Sequence, residues 1–240
     1  MIYVGIDDTD TLGTRGTNQL AKAMAAAVAG EFFCQRIVRH QLLEDPRVPF
    51  TSQNGSASLV FEPHNFSDIA SAVSVLTATL KRLMLDDFIS GSDPGLCVTA
   101  TVDTEIIDFA IRCQTQLVKQ QTARDIAAKH GLFLKGLGGT EDGVIGALAA
   151  VGHAAANDSG RVVQWRHWPD DMSGLQTVEA VRQRDIDVRE ADSSTCVQTG
   201  FVDVGKHLRP NWRAGRCVLF VTPANTTANK CNNWKALKLR

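Results

Sequence analysis

Apolar periodicity along this chain points to an α+β protein. Period-two strand runs are interspersed with helical stripes over the first two thirds, and strand signals dominate after residue 160. The length, 240 residues at 44% hydrophobic and 21% charged, is enough for a sizeable core without disulfide or metal staples.

In order, Ile2–Ile6 reads as a buried strand, followed by the polar turn D-D-T-D-T-L-G-T-R-G. Thr17–Ala29 reads as a helix with Leu20, Met24 and Ala27–Val28 on one face. Phe33–Leu43 is a second strand, stopped by Pro46 and Pro49, and Ser56–Glu62 a third. Ile69–Leu85 is an amphipathic helix with Ile69, Val73, Leu76, Leu80 and Leu83 at helical spacing. Asp93-Pro94-Gly95 is a turn before a strand at Leu96–Val102. Thr104–His130 holds two helices broken near Val118–Gln121. The glycine-dense stretch Gly136–Gly143 opens a helix to about Ala156, and Asn157–Gly160 is a boundary loop. Strands are expected at Arg161–His167, Ile186–Arg189, Val197–Val204 and Cys217–Thr222, then a polar, partly ordered tail over 226–240.

Composition removes several classes. With 25 Lys+Arg against 26 Asp+Glu, the net charge of −1 excludes a polybasic nucleic-acid binder, though not a local basic groove. The 6 cysteines form no C-x-x-C pair, so a zinc ribbon is not expected, and buried reduced thiols are. No segment reaches the ~18 apolar residues of a membrane span. Asp7, Asp8 and Asp10 interrupt any apolar leader, so a cytoplasmic protein without membrane partners is expected. The histidines show no zinc-protease spacing, and no G-x-S-x-G elbow exists.

The strongest local signal is G-I-D-D-T-D-T at residues 5–11. A strand delivers Asp7, Asp8 and Asp10 into one turn, where they repel one another unless a cation sits between them. Mg²⁺ is the natural partner of such oxygen ligands; an Asx-turn capping its own backbone is the structural alternative. Gly13, Gly16 and a helix start at Thr17-Asn18 add backbone N–H groups for a phosphate, with Arg15 beside them. The second glycine stretch, including Gly139 and Gly143, also permits close approach to a phosphate, but it is neither a Walker A loop nor a G-x-G-x-x-G loop. Its structural alternative is a tight turn capped by Thr140 or Asp142, with Gly146 allowing close helix packing.

G-I-D-D-T-D at 5–10 and G-V-I-G-A-L-A-A-V-G at 143–152 together resemble the archaeal tRNA(Ile2) 2-agmatinylcytidine synthetase family. Arg36 and Arg39 match its R-x-x-R, Pro49-Phe50 a Pro-aromatic step, and Asn54-Gly55 its N-G pair. Val202-Asp203 and Phe220–Pro223 match more weakly, so the resemblance spans roughly 1–225. It implies a kinase-like nucleotide-binding domain (1–62 and 131–190) intertwined with a ferredoxin-like domain (63–130 and 191–225). Asp7, Asp8 and Asp10 would hold Mg²⁺ and ATP phosphates, and Thr17 would be the phospho-acceptor or a phosphate ligand. Gly143 and Gly146 would line the phosphate pocket. Beside what the resemblance implies, Gly13, Gly16, Asn18, Asn54 and Gly139 are candidates to line the nucleotide site, and Arg36 and Arg39 are the choice for stabilising phosphate charge. Strand alternation lets only one of those arginines point inward unless a bulge intervenes.

The family's OB-fold and zinc ribbon have no counterpart in this sequence. Its basic K-T-R is here Thr51-Ser52-Gln53, and the cations before the second glycine helix are Thr140-Glu141-Asp142. Phosphate contacts dominate nucleic-acid affinity, so these losses favour a small-molecule acceptor over tRNA. The expectation is an ATP- and Mg²⁺-dependent phosphotransferase or ligase acting on a small molecule, as in cofactor biosynthesis. One alternative is a tRNA-modifying enzyme that needs a partner chain; another is a non-catalytic nucleotide-binding protein. A homo-oligomer is compatible with the sequence.

Overall fold

The computed structural model describes residues 1–48, 53–166, 168–224 and 233–239. The chain forms two compact bodies, Met1–Ala156 and Asn157–Arg240. The break falls at the loop read as a boundary.

The first body contains β1 (Ile2–Asp7), α1 (Thr17–Ala27), β2 (Phe32–Gln41), β3 (Gly55–Pro63) and α2 (Ile69–Asp86). It continues with β4 (Gly95–Thr99), α3 (Thr104–Thr115), α4 (Gln120–Lys129), β5 (Phe133–Gly136) and α5 (Gly143–Ala156). Its sheet runs β5-β4-β1-β3-β2, every neighbour antiparallel. The interleaved division expected from the sequence does not coincide with this body. β4, from the 63–130 stretch, is hydrogen-bonded between β1 and β5, and α3 packs on α5. Those pairings tie 63–130 into the same core as the segments on either side.

Strand alternation sorts the two faces of this sheet. Ile2, Val4 and Ile6 are wholly buried on the face covered by α1 and α2. Tyr3, Gly5 and Asp7 face α5, which lies across β1, β3, β4 and β5 beneath α3 and α4. Beneath those helices Phe109, Cys113, Ile126, Leu148 and Val151 form a continuous apolar cluster with Leu42 and Cys97 of the sheet side. The buried stripe of α2 is Ala72, Leu76, Leu80 and Met84, one column over from the expected one, and Ile69 is exposed. The small Ala72 and flexible Met84 carry the contact, so bulk alone misplaces the face.

The second body contains β6 (Arg161–Trp165), β7 (Leu175–Thr177), α6 (Val178–Arg182) and β8 (Ile186–Glu190). It ends with β9 (Phe201–Asp203), β10 (Asn211–Arg213), β11 (Arg216–Pro223) and β12 (Asn233–Ala236). Its sheet order is β6-β10-β11-β12-β9-β7, with β8 parallel beside β11. The tail is corrected in part: β12 is hydrogen-bonded on both sides, to β11 and β9. Backbone pairing recruits this polar segment, so its side chains carry no strand signal. The expected Val197–Val204 strand shortens to β9. His167, Pro49-Phe50, Thr51-Ser52 and most of the tail before β12 lie outside the described residues. Among the described residues no helix is long and apolar enough to cross a membrane.

At Gly5 sheet and helix meet at backbone distance: a Cβ there would overlap the Ala147 carbonyl of α5. Gly5→Ala should cost about 1–3 kcal/mol, because α5 must lift off the sheet. Gly30→Ala, where a Cβ meets nothing within 4 Å, should change stability by less than about 0.5 kcal/mol. Urea unfolding of the two variants checks this, and equal midpoints would contradict the packing.

Candidate active site

The acidic turn sits where β1 ends against the start of α5. Alternation puts Asp7 on the α5 face, and Gly146 makes room for it, since a Cβ there would overlap the Asp7 carboxylate. Gly143 is equally constrained, with a Cβ falling 3.0 Å from the Asp7 carbonyl oxygen and against the Asp93 carbonyl. Asp8 turns the chain with a left-handed φ of 51°. Thr9 is buried, and its hydroxyl donates to Thr17 Oγ1 at 3.0 Å. Thr17 Oγ1 donates in turn to Asp10 Oδ1 at 2.9 Å, fastening the turn to the first residue of α1.

The second glycine stretch is held by Asp93. Its carboxylate accepts the Thr140 N–H, and its carbonyl accepts the Gly143 N–H at 3.0 Å. Gly139 has φ +59°, and a Cβ there would overlap the Asp93 carboxylate. The stretch is thus a tight turn delivering the first residue of α5 beside Asp7.

These elements enclose a cavity of about 390 Å³. Asp7, Asp8, Asp10 and Asp142 form its acidic wall. Thr17, Gln120 and Gly143 place the N-termini of α1, α4 and α5 on the same cavity. Asn54, Gly55 and Gly146 also line it, and Leu42, Leu43, Val118 and Ile145 give it an apolar side. Asn54 is committed to the fold as well: its Nδ2 donates to the Leu43 carbonyl at 2.7 Å.

Burial, then repulsion from Asp8 and Asp10, pushes the Asp7 carboxyl up to about 7; the Asp8 N–H and the Arg39 charge oppose the rise. Burial, then Asp93, Asp10 and Asp142, pushes Asp8 up to about 6. The site is short of positive charge as it stands. Among the described residues no three His, Cys, Asp or Glu side chains form a ready-made metal cage. Mg²⁺ does not need one. It is commonly held by one or two carboxylates, with water and phosphate completing the shell. The hard oxygen donors and their raised carboxyls therefore fit that ion.

Of the residues expected from the sequence, Asp7, Asp8, Asp10, Thr17, Asn54, Gly143 and Gly146 meet at this cavity. Gly13, Gly16, Asn18, Gly139, Arg36 and Arg39 are not among its described lining residues. Arg36 is drawn to the far end of α5, where Nη2 donates to the Ala154 carbonyl at 3.1 Å; that lies about 16 Å along the helix from Gly143. The β2 bulge between Cys34 and Arg36 does not turn it toward the acids. Arg39 donates to Gln41 Oε1 at 3.1 Å and reaches Asp7 only through its field. Arg15 is paired with Asp87. The sequence reading missed Arg47, Gln116, Lys119 and Gln120, and took Asp142 only as a helix cap. The helix break near Val118–Gln121 was the available signal, but nothing local showed that it closes over the acidic turn.

No family model matches the sequence, and no curated protein matches it. Solved structures do. A crystal structure of a tRNA fluorescent labeling enzyme aligns with a TM-score of 0.53 and 23% identity, over 63% of this chain and 35% of that one. The TiaS–tRNA(Ile2)–ATP complex aligns at 0.50 and 24%, over 63% and 36%. The TiaS–tRNA(Ile2)–AMPCPP–agmatine complex aligns at 0.50 and 19%, over 87% and 52%. TiaS is tRNA(Ile2) agmatidine synthetase, so the family the sequence resembles is also the one its fold resembles. The likeness establishes a mixed α/β fold with a large mixed sheet. The chain spans from 35% to 52% of the length of these neighbours.

Ionising Asp7 opposes folding, because the folded chain holds its proton more tightly than the unfolded one. Stability should fall as pH rises from 3.8, its ordinary value, through about 7. Asp7→Asn should therefore melt several degrees above the parent at about pH 8 without divalent ions, and the gap should close towards about pH 4. Thermal unfolding across pH checks this, and a constant gap would show that Asp7 is not raised.

Proposed function

We propose that the cavity binds a nucleoside triphosphate, ATP, with Mg²⁺ and uses it for phosphoryl transfer in a ligase-type reaction. One observation carries the reading. Four carboxylates and the N-termini of α1, α4 and α5 share a single cavity. Carboxylates suit the metal, and helix N-termini suit the phosphates it accompanies. Phosphoryl transfer asks a protein mainly for positioning and charge neutralisation, which is what this arrangement can supply.

In this reading Asp7 and Asp8 hold Mg²⁺, which when bound neutralises charge on the phosphate chain. Thr17 is the phospho-acceptor. Its hydroxyl already donates to Asp10 at 2.9 Å, so Asp10 can take the proton as Thr17 Oγ1 bonds to the terminal phosphorus and the bond to the departing diphosphate breaks. Gly143 and Gly146 keep the α5 N-terminus close enough for its N–H groups to meet phosphate oxygens.

Two finer readings accompany this. The order β1-α1-β2-β3-α2-β4, with strands arranged β4-β1-β3-β2, supports a ferredoxin-like half at residues 2–99. The α3–α5 layer packs on that half, and the nucleotide cavity lies between the two, lined by Asp7, Asp8, Asp10 and Thr17 from one and Gln120, Asp142 and Gly143 from the other. A small-molecule acceptor gains no support from the structural neighbours, whose crystals hold tRNA(Ile2), ATP or AMPCPP, and agmatine. We therefore take tRNA as the substrate class.

Calorimetry with Mg-ATP should show binding that Asp8→Asn weakens at least about tenfold, with cooperative unfolding preserved. Nucleotide binding that ignores both Mg²⁺ and Asp8 would overturn the reading. A gel shift with tRNA that weakens steeply with salt supports that substrate; no shift at low salt removes it.

A further inference from the structure

We propose that Lys119 is the protein cation that grips the phosphate chain, which makes the connection between α3 and α4 part of the binding machinery. The proposal rests on the nucleotide reading above and names a residue that reading does not.

The arginines near the acidic turn are engaged elsewhere. Arg36 serves the Ala154 carbonyl, Arg15 pairs with Asp87, Arg124 pairs with Glu141, and Arg39 donates to Gln41. Two cations line the cavity among the described residues, Arg47 and Lys119. Arg47 is paired with Asp45 on the surface, with Nε at 2.8 Å and Nη2 at 2.7 Å from its two carboxylate oxygens. Such a bidentate pair leaves little guanidinium to offer an incoming anion. Lys119 makes no ion pair among the described residues.

Its placement is built. Lys119 is the N-cap of α4, so its ammonium adds to the positive end of that helix. Gln120 beside it donates through Nε2 to the Thr140 carbonyl at 2.9 Å and to Asp142 Oδ1 at 3.1 Å. One turn on, Arg124 pairs with Glu141 and donates through Nε to Gln120 Oε1 at 3.2 Å. Together they clamp the start of α4 to the loop that opens α5, so the Lys119 backbone is held at the cavity and its exposed side chain is within the cavity's lining.

Charge then sets the order of events. Asp7, Asp8, Asp10 and Asp142 outnumber the one uncommitted cation, so a bare phosphate is repelled and must arrive with a divalent ion. A lysine that only screened the carboxylates and one that binds phosphate respond oppositely to removal. Losing a screening cation tightens Mg²⁺ and leaves the phosphate contact alone. Losing a phosphate ligand weakens Mg-pyrophosphate.

Calorimetry on the full chain with Mg²⁺ alone, Mg-pyrophosphate and Mg-ATP separates these. Lys119→Gln should weaken Mg-pyrophosphate and Mg-ATP about tenfold to a hundredfold, with Mg²⁺ alone unchanged or tighter. Lys119→Arg should recover most of the loss, and Lys206→Gln, the same charge change in the second body, should have no effect. If the parent binds Mg-pyrophosphate and Lys119→Gln binds it equally well, Lys119 has no such role and the nucleotide reading stands. If the parent binds neither Mg-pyrophosphate nor Mg-ATP, both fail together.

Discussion

The first body depends on how closely α5 lies against the ends of β1 and β4. Four glycines set that distance. A Cβ at Gly5 would overlap the Ala147 carbonyl, one at Gly95 the Gly143 backbone, one at Gly143 the Asp93 carbonyl, and one at Gly146 the Asp7 carboxylate. Removing side chains on both sides of the contact lets a helix N-terminus reach a strand end at backbone distance. That contact also leaves space for a carboxylate between them. The Ala-rich face of α5 continues the close packing away from the cavity, where Gly152 lies against the Ile106 carbonyl of α3. The same geometry therefore builds the core and opens the site.

The cost of this arrangement is electrostatic. Asp7 and Asp8 are held in partly desolvated positions beside further carboxylates, and burial raises both carboxyls. Nothing in a purely structural turn requires such crowding, because one aspartate would cap the turn as well. Asp10 does take a structural bond, accepting from Thr17, and so shows both readings of the acidic turn at work in one side chain. Among the described residues Asp7 and Asp8 gain no comparable side-chain partner, and their crowding makes sense when a divalent ion relieves it.

Much of the first body was legible because its signals are local. The strand at β1, the span of α2, the break between α3 and α4, and the two glycine motifs all show in short windows. The site was legible to the extent that its residues sit in those motifs: Asp7, Asp8, Asp10, Thr17, Gly143 and Gly146 were read from two segments. Lys119, Gln120 and Asp142 were not, since their meaning comes from α4 folding over a turn more than a hundred residues earlier in the chain. Arg36 and Arg39 lie away from the cavity lining for a related reason. Spacing fixes which face of β2 they occupy, but not that α5 extends a carbonyl to one of them. The short strands β7, β10 and β12 were missed because backbone pairing, and not side-chain pattern, defines them.

The central claim is that one cavity brings the carboxylates of the β1 turn and the α5 N-terminus onto the same metal–triphosphate. A crystal structure with Mn²⁺ and a non-hydrolysable ATP analogue measures this directly. The account expects anomalous density at coordination distance from Asp7 or Asp8, with phosphate oxygens against the Gly143 end of α5. Manganese and nucleotide bound together elsewhere on the chain, with Asp7, Asp8 and Asp10 unengaged, would contradict it.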